Sequence, residues 1–559
     1  MILQSLRDLA VRERLLTNPD YESKAVAWII HVGDGGRFLG LVPTAEGKKL
    51  SIPRRTGRTV DDVADFLVDK SEYVLGICNQ DKLPKPRKPE KLAKRRSLFR
   101  DATVAAHRAT GAPSLEAVAA FLSNDEERGH CAGEAATRGY KNNDLFAFGY
   151  QDRFVHDVPE VRAYFSSARG NTTDAGALCL VCGRQRAPVE KHPGIKLPGG
   201  TSSGVALVSF NSNAFESYGL SRNENAPVCR ECADAYTTAL NRCIERDYVN
   251  PEGEVLPRRS LRLSPDTIAV YWAEEDAGFI DIFGSLFDQA DPEAVRSLLN
   301  APYAGRAPAA FNSRFYCLLL SGAQGRAVVR GLHTETLGAA EENVRGYFHS
   351  LEIGSDAPFP LWALLRSICL QGKTDNLPPG LAGDFFLSIL FGRPFPRTLL
   401  AAAVGRCRAE RKVPPARAAL LRAYLIRNSN LEVTVSLDKE NTQPAYRLGR
   451  LLAVLERLQG DAQRNLNKTI VDRYYGAAST RPGTVFPALI RLAQHHFPKT
   501  NSPGFHQANL GEVLDGIAAF PATLTLDQQG QFALGYYHQR QEFFRRKETA
   551  NQNESGESA

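Results

Sequence analysis

Two Cys-x-x-Cys pairs, Cys179-Leu-Val-Cys182 and Cys229-Arg-Glu-Cys232, are the residues best suited to chemistry by type and spacing. Each short turn aims two sulfurs at one point while its backbone amides offset thiolate charge, so two pairs supply the four tetrahedral ligands of a zinc ion. The insert between them, residues 183–228, is long for a zinc ribbon, but loop-closure entropy rises only logarithmically with length. Four protein ligands leave no open coordination position, so the expected metal is a structural clip. Unmetallated turns and a redox pair are the competing readings.

Two basic stretches come next. Lys82 to Arg100 holds nine basic residues and one acid, Glu90. In this stretch Lys82, Lys85, Arg87, Lys88, Lys94, Arg95 and Arg96 are candidates for phosphate contacts, against the alternative of a solvated linker. Ala401 to Asn430 holds seven, Arg406, Arg408, Arg411, Lys412, Arg417, Arg422 and Arg427, against Glu410. Arginine forks suit phosphate, and Arg406, Arg408 and Arg411 are the candidates there. These stretches more than account for the net charge of +7, so the rest of the chain is net acidic.

Between the cysteine pairs lies a polar cluster, Ser209 to Tyr218 and Asn223 to Pro227. Asn211, Asn213 and Asn225 can read base edges, or can serve as turn and helix caps. Glu274, Glu275 and Asp276, just after a strand-like run from Thr267 to Trp272, could hold two magnesium ions for phosphodiester cleavage. Acids in that position also form solvated turns or the first turn of a helix. No Gly-x-x-x-x-Gly-Lys-Ser/Thr occurs, which argues against an ATP-driven motor.

The elements that must position these groups predict an α+β fold. Ala25–Val32 and Arg37–Val42 flank Gly33-Asp-Gly-Gly and read as a β-hairpin. A dinucleotide-binding reading fails there, because a strand rather than a helix follows Gly36. Val60 to Val68 is helix-like, and the proline-rich run after Lys82 opens into a helix near Lys91. A second hairpin pairs Arg314–Leu320 with Arg326–Arg330. Beyond Ala339 strand signals nearly vanish and apolar residues such as Leu448, Leu451, Leu452 and Leu455 keep helical spacing. The expected organisation is an N-terminal α+β region with β-hairpins (1–170), a zinc-clipped insertion (171–250), an α+β region (251–400), a C-terminal helical bundle (401–547) and a disordered tail (548–559).

Hydrophobic residues at 43% and charged residues at 23% fit a globular chain. The N-terminus breaks its apolar stretch with charge at once, unlike a secretory signal, and no apolar run is long enough to span a membrane. Ten cysteines are too few for a disulfide framework. A reducing, cytoplasmic setting is expected.

Ordered motifs along the chain resemble the large subunit of the type I-C (Dvulg subtype) CRISPR Cascade complex. They are Met1-Ile-Leu-Gln-Ser-Leu, Phe66-Leu-Val-Asp-Lys, Tyr73-Val-Leu-Gly, His192-Pro-Gly-Ile-Lys, Ser202-Ser-Gly-Val-Ala-Leu-Val-Ser-Phe-Asn and Ala214-Phe-Glu-Ser-Tyr-Gly. Asn225-Ala-Pro-Val, Ala235-Tyr-Thr-Thr-Ala-Leu-Asn, Tyr446-Arg-Leu-Gly-Arg, Asp472-Arg-Tyr-Tyr-Gly and Ala533-Leu-Gly-Tyr-Tyr-His-Gln-Arg continue the series. The resemblance implies a non-enzymatic subunit that contacts a protospacer-adjacent motif, helps open target double-stranded DNA, holds the displaced strand and recruits a helicase-nuclease. It also implies crRNA-containing partners: backbone subunits, a crRNA-end-binding subunit and a small subunit. Lys70, Asn211, Asn213 and Asn225 are then the expected contacts near the adjacent motif.

In relatives the small subunit arises by internal translation of the same gene. Met1 is the only methionine here. Such a start would have to use a Val or Leu codon read as methionine, and Val433, Val435 or Leu437, just before the Tyr446 helix, are the expected places. Two rival readings remain at this stage, a metal-dependent nuclease using Glu274, Glu275 and Asp276, and a stand-alone zinc protein that binds nucleic acid without a guide.

Overall fold

The computed structural model describes residues 1–16, 20–45, 49–55, 63–83, 86–170, 177–250, 253–275, 278–300, 312–323, 325–354, 357–463 and 467–556. They fall into two units. The first comprises Met1–Gly194, Ala206–Leu240 and Val249–Leu256, and the second Ile195–Val205, Asn241–Tyr248 and Pro257–Ala559.

The first unit opens with helix α1 (Ile2–Arg12) and strands β1 (Tyr21–Ala25), β2 (Trp28–Val32), β3 (Phe38–Pro43), β4 (Lys49–Pro53) and β5 (Asp69–Lys70). Helices α2 (Ser71–Val74), α3 (Pro89–Thr110), α4 (Pro113–Ser123) and α5 (Asp125–Thr137) follow, then β6 (Leu145–Tyr150), β7 (Arg153–Phe154) and α6 (Pro159–Gly170). The main sheet runs β3-β2-β6-β5 with β7 beside β6; β2 and β6 are parallel and the other pairs antiparallel. The expected β2–β3 hairpin is present. At its turn Gly36 has φ +80°, and a Cβ there would collide with the Phe121 amide on α4. Gly36 thus lets the turn pack closely against α4.

Strand β6 was not anticipated from the sequence. It is buried on both faces, with Phe146 and Phe148 meeting Phe99 and Phe121, and Leu145 and Ala147 meeting Ile29 and Ile52. A central strand of this kind reads as an unbroken apolar run without alternation. The helix expected over Val60–Val68 is absent where the chain is described: residues 63–68 are irregular and Leu67 has φ +57°. Helix α3 starts at Pro89, two residues before the expected Lys91, because proline suits the first helical position.

The cysteine region carries β8 (Ala177–Leu178), β9 (Gln185–Arg186) and α7 (Arg230–Ile244). The second unit begins with an antiparallel meander of β10 (Ser260–Arg262), β11 (Thr267–Ala273), β12 (Arg314–Ala323) and β13 (Arg326–Thr336). Helices α8 (Phe279–Asp288), α9 (Pro292–Asn300), α10 (Leu337–Ser350), α11 (Leu361–Ser367) and α12 (Leu381–Leu390) surround it. The bundle follows with α13 (Arg397–Glu410), α14 (Pro415–Ser429), α15 (Pro444–Ala462), α16 (Ile470–Ala478), α17 (Pro482–Ala493), α18 (Pro503–Asp515) and α19 (Leu526–Gly556).

The α+β class with a C-terminal helical region is as expected. The boundary expected at 400 is not a border. It falls inside α13, and one continuous core runs from Phe283, Phe315 and Phe386 through Leu400 and Leu421 to Leu452 and Phe532. Helix α19 continues to Gly556, and 557–559 lie outside the described residues.

Candidate metal centre and nucleic-acid interface

The turn between β8 and β9 holds the first cysteine pair. The Gly183 amide donates to the Cys179 carbonyl at 2.9 Å, and Gly183 has φ +69°, a conformation that glycine adopts without strain. The second pair straddles the start of α7, with Cys229 just before it and Cys232 in its first turn. Unpaired amides there favour thiolates. Two backbone hydrogen bonds, Leu180 to Pro227 and Val189 to Val228, each 2.9 Å, hold the pairs together.

All four sulfurs lie within 4.8 Å of one another, and the Cys182 and Cys229 Sγ atoms are 3.8 Å apart. Zinc–sulfur bonds near 2.3 Å in a tetrahedron require sulfur separations of about 3.8 Å. The donor set and spacing therefore fit zinc. Three of the cysteines are buried and Cys182 is half-buried. A hydrogen bond from Cys232 lowers the Cys229 thiol to about 5, and the Cys229 amide also donates to Cys179 Sγ at 3.3 Å. Among the described residues, no other group of three or more His, Cys, Asp or Glu could hold a metal ion.

His192 braces the insert and was not singled out as a site residue. Its Nδ1 lies 2.7 Å from the Tyr236 hydroxyl on α7, and burial lowers its pKa to about 4, so the ring is neutral.

Beyond this brace residues 211–222 are exposed. Asn211 and Asn213 stand at its surface, Asn213 opening a single helical turn to Phe215. Asn225 is tied into the loop itself. Its Oδ1 accepts from the Ser217 amide (3.0 Å) and hydroxyl (3.2 Å), and its Nδ2 donates to the Leu220 and Arg222 carbonyls, each at 2.9 Å. Asn225 therefore holds the loop together, as the capping alternative foresaw. Asn223, in the same polar cluster, is buried and donates to the Val189 and Glu190 carbonyls at 2.7 and 2.8 Å.

The basic stretches split in the structure. In the first, Lys82, Lys88 and Lys94 are exposed, whereas Arg95 is buried against Glu72 with its guanidinium 5.2 Å from the Tyr73 ring centre. Arg87 reaches the same Glu72 at 3.4 Å, and Arg96 lies 3.8 Å from Asp125. Lys85 lies outside the described residues. In the second stretch Arg408 and Arg411 are exposed and Arg406 pairs with Glu410. Arg417 and Arg422 are buried. Arg417 donates to the Lys412 carbonyl at 2.9 Å and to the Ser367 carbonyl, while Arg422 spans the His349 and Ser350 carbonyls at 2.9 Å and that of Val433 at 3.0 Å. Burial opposes ionisation of Glu410, but hydrogen bonds from Arg406 and Arg417 outweigh it and hold its carboxyl below the usual range.

Compared with known proteins, the chain matches the family model described as CRISPR-associated protein (Cas_Csd1) over residues 4–544. The chain belongs to this family. No curated protein matches it. Family membership agrees with the type I-C Cascade resemblance and makes the chain a CRISPR-associated Cascade subunit.

Several motifs that carry the family resemblance are packing devices. The Tyr446 and Ala533 motifs lie on α15 and α19, which cross so closely that a Cβ on Gly449 would strike the Phe532 carbonyl and one on Gly535 the Tyr446 carbonyl. Tyr446 meets His538 at 2.9 Å, Arg450 donates to Gln539 at 3.0 Å, and Tyr536 donates to Glu456 at 2.8 Å. In the Asp69-Lys motif, buried Asp69 accepts from the Asp65 amide at 2.9 Å and the Lys70 amide at 2.7 Å. Lys70 is half-buried and its Nζ donates to Asn143 at 2.8 Å.

Of the acids of the nuclease reading, Glu274 is engaged by its neighbours. Glu274 accepts from the Tyr316 hydroxyl at 2.7 Å and lies 3.9 Å from Arg314, Glu275 is exposed, and Asp276 lies outside the described residues. No described helix is long and apolar enough to cross a membrane.

Proposed function

We propose that this Cas_Csd1-family chain is the DNA-handling large subunit of a type I-C RNA-guided surveillance complex. It recognises the protospacer-adjacent motif, assists duplex opening and R-loop formation, holds the displaced strand and recruits a separate helicase-nuclease. The observation that carries this reading is an exposed, internally braced loop bearing Asn211 and Asn213, set on a four-cysteine clip within a chain of this family. Zinc at Cys179, Cys182, Cys229 and Cys232 fixes the base of the loop and supplies no reactive position. Lys82, Lys88, Lys94, Arg408 and Arg411 add sequence-independent phosphate contacts.

The proposal extends to the small subunit. Residues 430–443, between α14 and α15, form an irregular segment containing Val433, Val435 and Leu437. A start there would release α15 to α19 as a unit held by the α15–α19 crossing.

Purification from cells expressing the whole operon tests the reading. The expected outcome is a short guide RNA, neighbouring subunits and about one equivalent of zinc per large subunit. A chain that purifies without RNA and binds DNA without a guide contradicts it.

A further inference from the structure

One side chain in the 209–225 loop is not absorbed by any role above. Tyr218 is 100% exposed, and its backbone sits at φ +55°. A bulky residue in the left-handed region is uncommon and persists only where surrounding structure over-determines it. Here the surroundings do so. Ser217 and Leu220 form a β-bridge around Tyr218 and Gly219 (φ +73°), making a tight turn with two positive φ values. Asn225 clamps that turn from below with its four hydrogen bonds. Ser221 and Glu224 form a capping box, and Glu216 accepts from the Arg222 amide at 3.2 Å. A fixed tip thus holds one aromatic ring entirely in solvent.

The tip is built for bases rather than phosphates. Its one cation, Arg222, pairs with Glu190, and its carboxylates serve its own turns. What it offers outward is a ring with both faces open, flanked by Phe215 and Leu220 at 37% and 43% exposure. Both faces of a free ring can stack between base planes, and apolar flanks tolerate an unstacked step. A protein contact is the competing use of such a ring, and the subunit set of the variant complex separates the two.

We infer that Tyr218 stacks on a target base at the edge of the duplex where the strands first separate, and that Asn225 is its positioning residue. This inference rests on the DNA-handling reading above. The test uses the assembled complex with Tyr218→Ala and Tyr218→Phe variants and two targets. One is fully paired with 2-aminopurine beside the adjacent motif, and the other is mismatched over those same pairs. The Tyr218→Ala complex should open the paired target about tenfold more slowly, open the mismatched target at the unaltered rate, and keep its full subunit set. The Tyr218→Phe complex should stay within about twofold of the unaltered one. Unaltered opening by Tyr218→Ala overturns the inference, and so does loss of a subunit from that complex, which would make the tip a protein contact. If the unaltered complex binds neither target, the DNA-handling reading itself falls.

Discussion

The two basic stretches look alike in sequence and are used in opposite ways. Around Lys82 to Arg100, Lys82, Lys88 and Lys94 are exposed, and the one buried cation among the described residues, Arg95, is matched by buried Glu72. In Ala401 to Asn430 Arg417 and Arg422 turn inward, where their forks gather backbone carbonyls from Lys412, Ser367, His349, Ser350 and Val433. Arg427 joins them, donating to the Ser388 carbonyl at 2.9 Å with its guanidinium 4.7 Å from the Phe395 ring centre. A planar guanidinium can satisfy several helix-end carbonyls at once, which a lysine cannot. Equal charge density therefore leaves exposed cations in one place, the phosphate contacts of the proposed function, and builds a structural clamp in the other. Exposed cations of the second stretch shrink to Arg408, Arg411 and Lys412.

The difference can be broken by substitution. Arg417→Ala should have the largest effect, lowering the stability of the second unit by about 3 kcal/mol, because the Ser367 and Lys412 carbonyls lose their donor and Glu410 loses a partner. Arg417→Lys should restore little of it, since one ammonium cannot replace the fork. The measurement is denaturant unfolding of the full chain followed by a probe in the bundle. A wild-type midpoint would return Arg417 to the list of surface charges.

Neutralising Lys82, Lys88 and Lys94 should act the other way. Stability should change by less than about 0.5 kcal/mol, as for ordinary surface substitutions. Target affinity of the assembled complex should fall, and the slope of log K against log salt should flatten by up to about 0.9 per lysine. A normal salt slope with failed assembly would make the segment a protein contact.

Much of this was legible in the sequence. Cysteine spacing pointed to one four-sulfur cluster, and the β2–β3 hairpin and bundle helices followed from local periodicity and turn chemistry. Other features were hidden because their causes are distant. Arg422 is buried by carbonyls of His349 and Ser350, more than seventy positions away, and nothing in its own segment signals them. Strand β6 escaped notice because burial on both faces erases alternation. The asparagines could not be sorted from spacing, since Asn225 differs from Asn213 only through a turn that closes several residues earlier. The Val60 to Val68 pattern was helix-like by composition, yet the described part is irregular beside Asp65 and Asp69, which are held by Arg55.

The most direct test of the account is the adjacent-motif discrimination of a complex carrying Asn211→Ala and Asn213→Ala. Affinities would be measured for targets with and without the correct motif at one salt concentration. The account predicts that the ratio between the two targets falls about tenfold or more, as loss of base-edge contacts at about 1–3 kcal/mol each implies, while binding to the motif-free target holds. An unchanged ratio would contradict it.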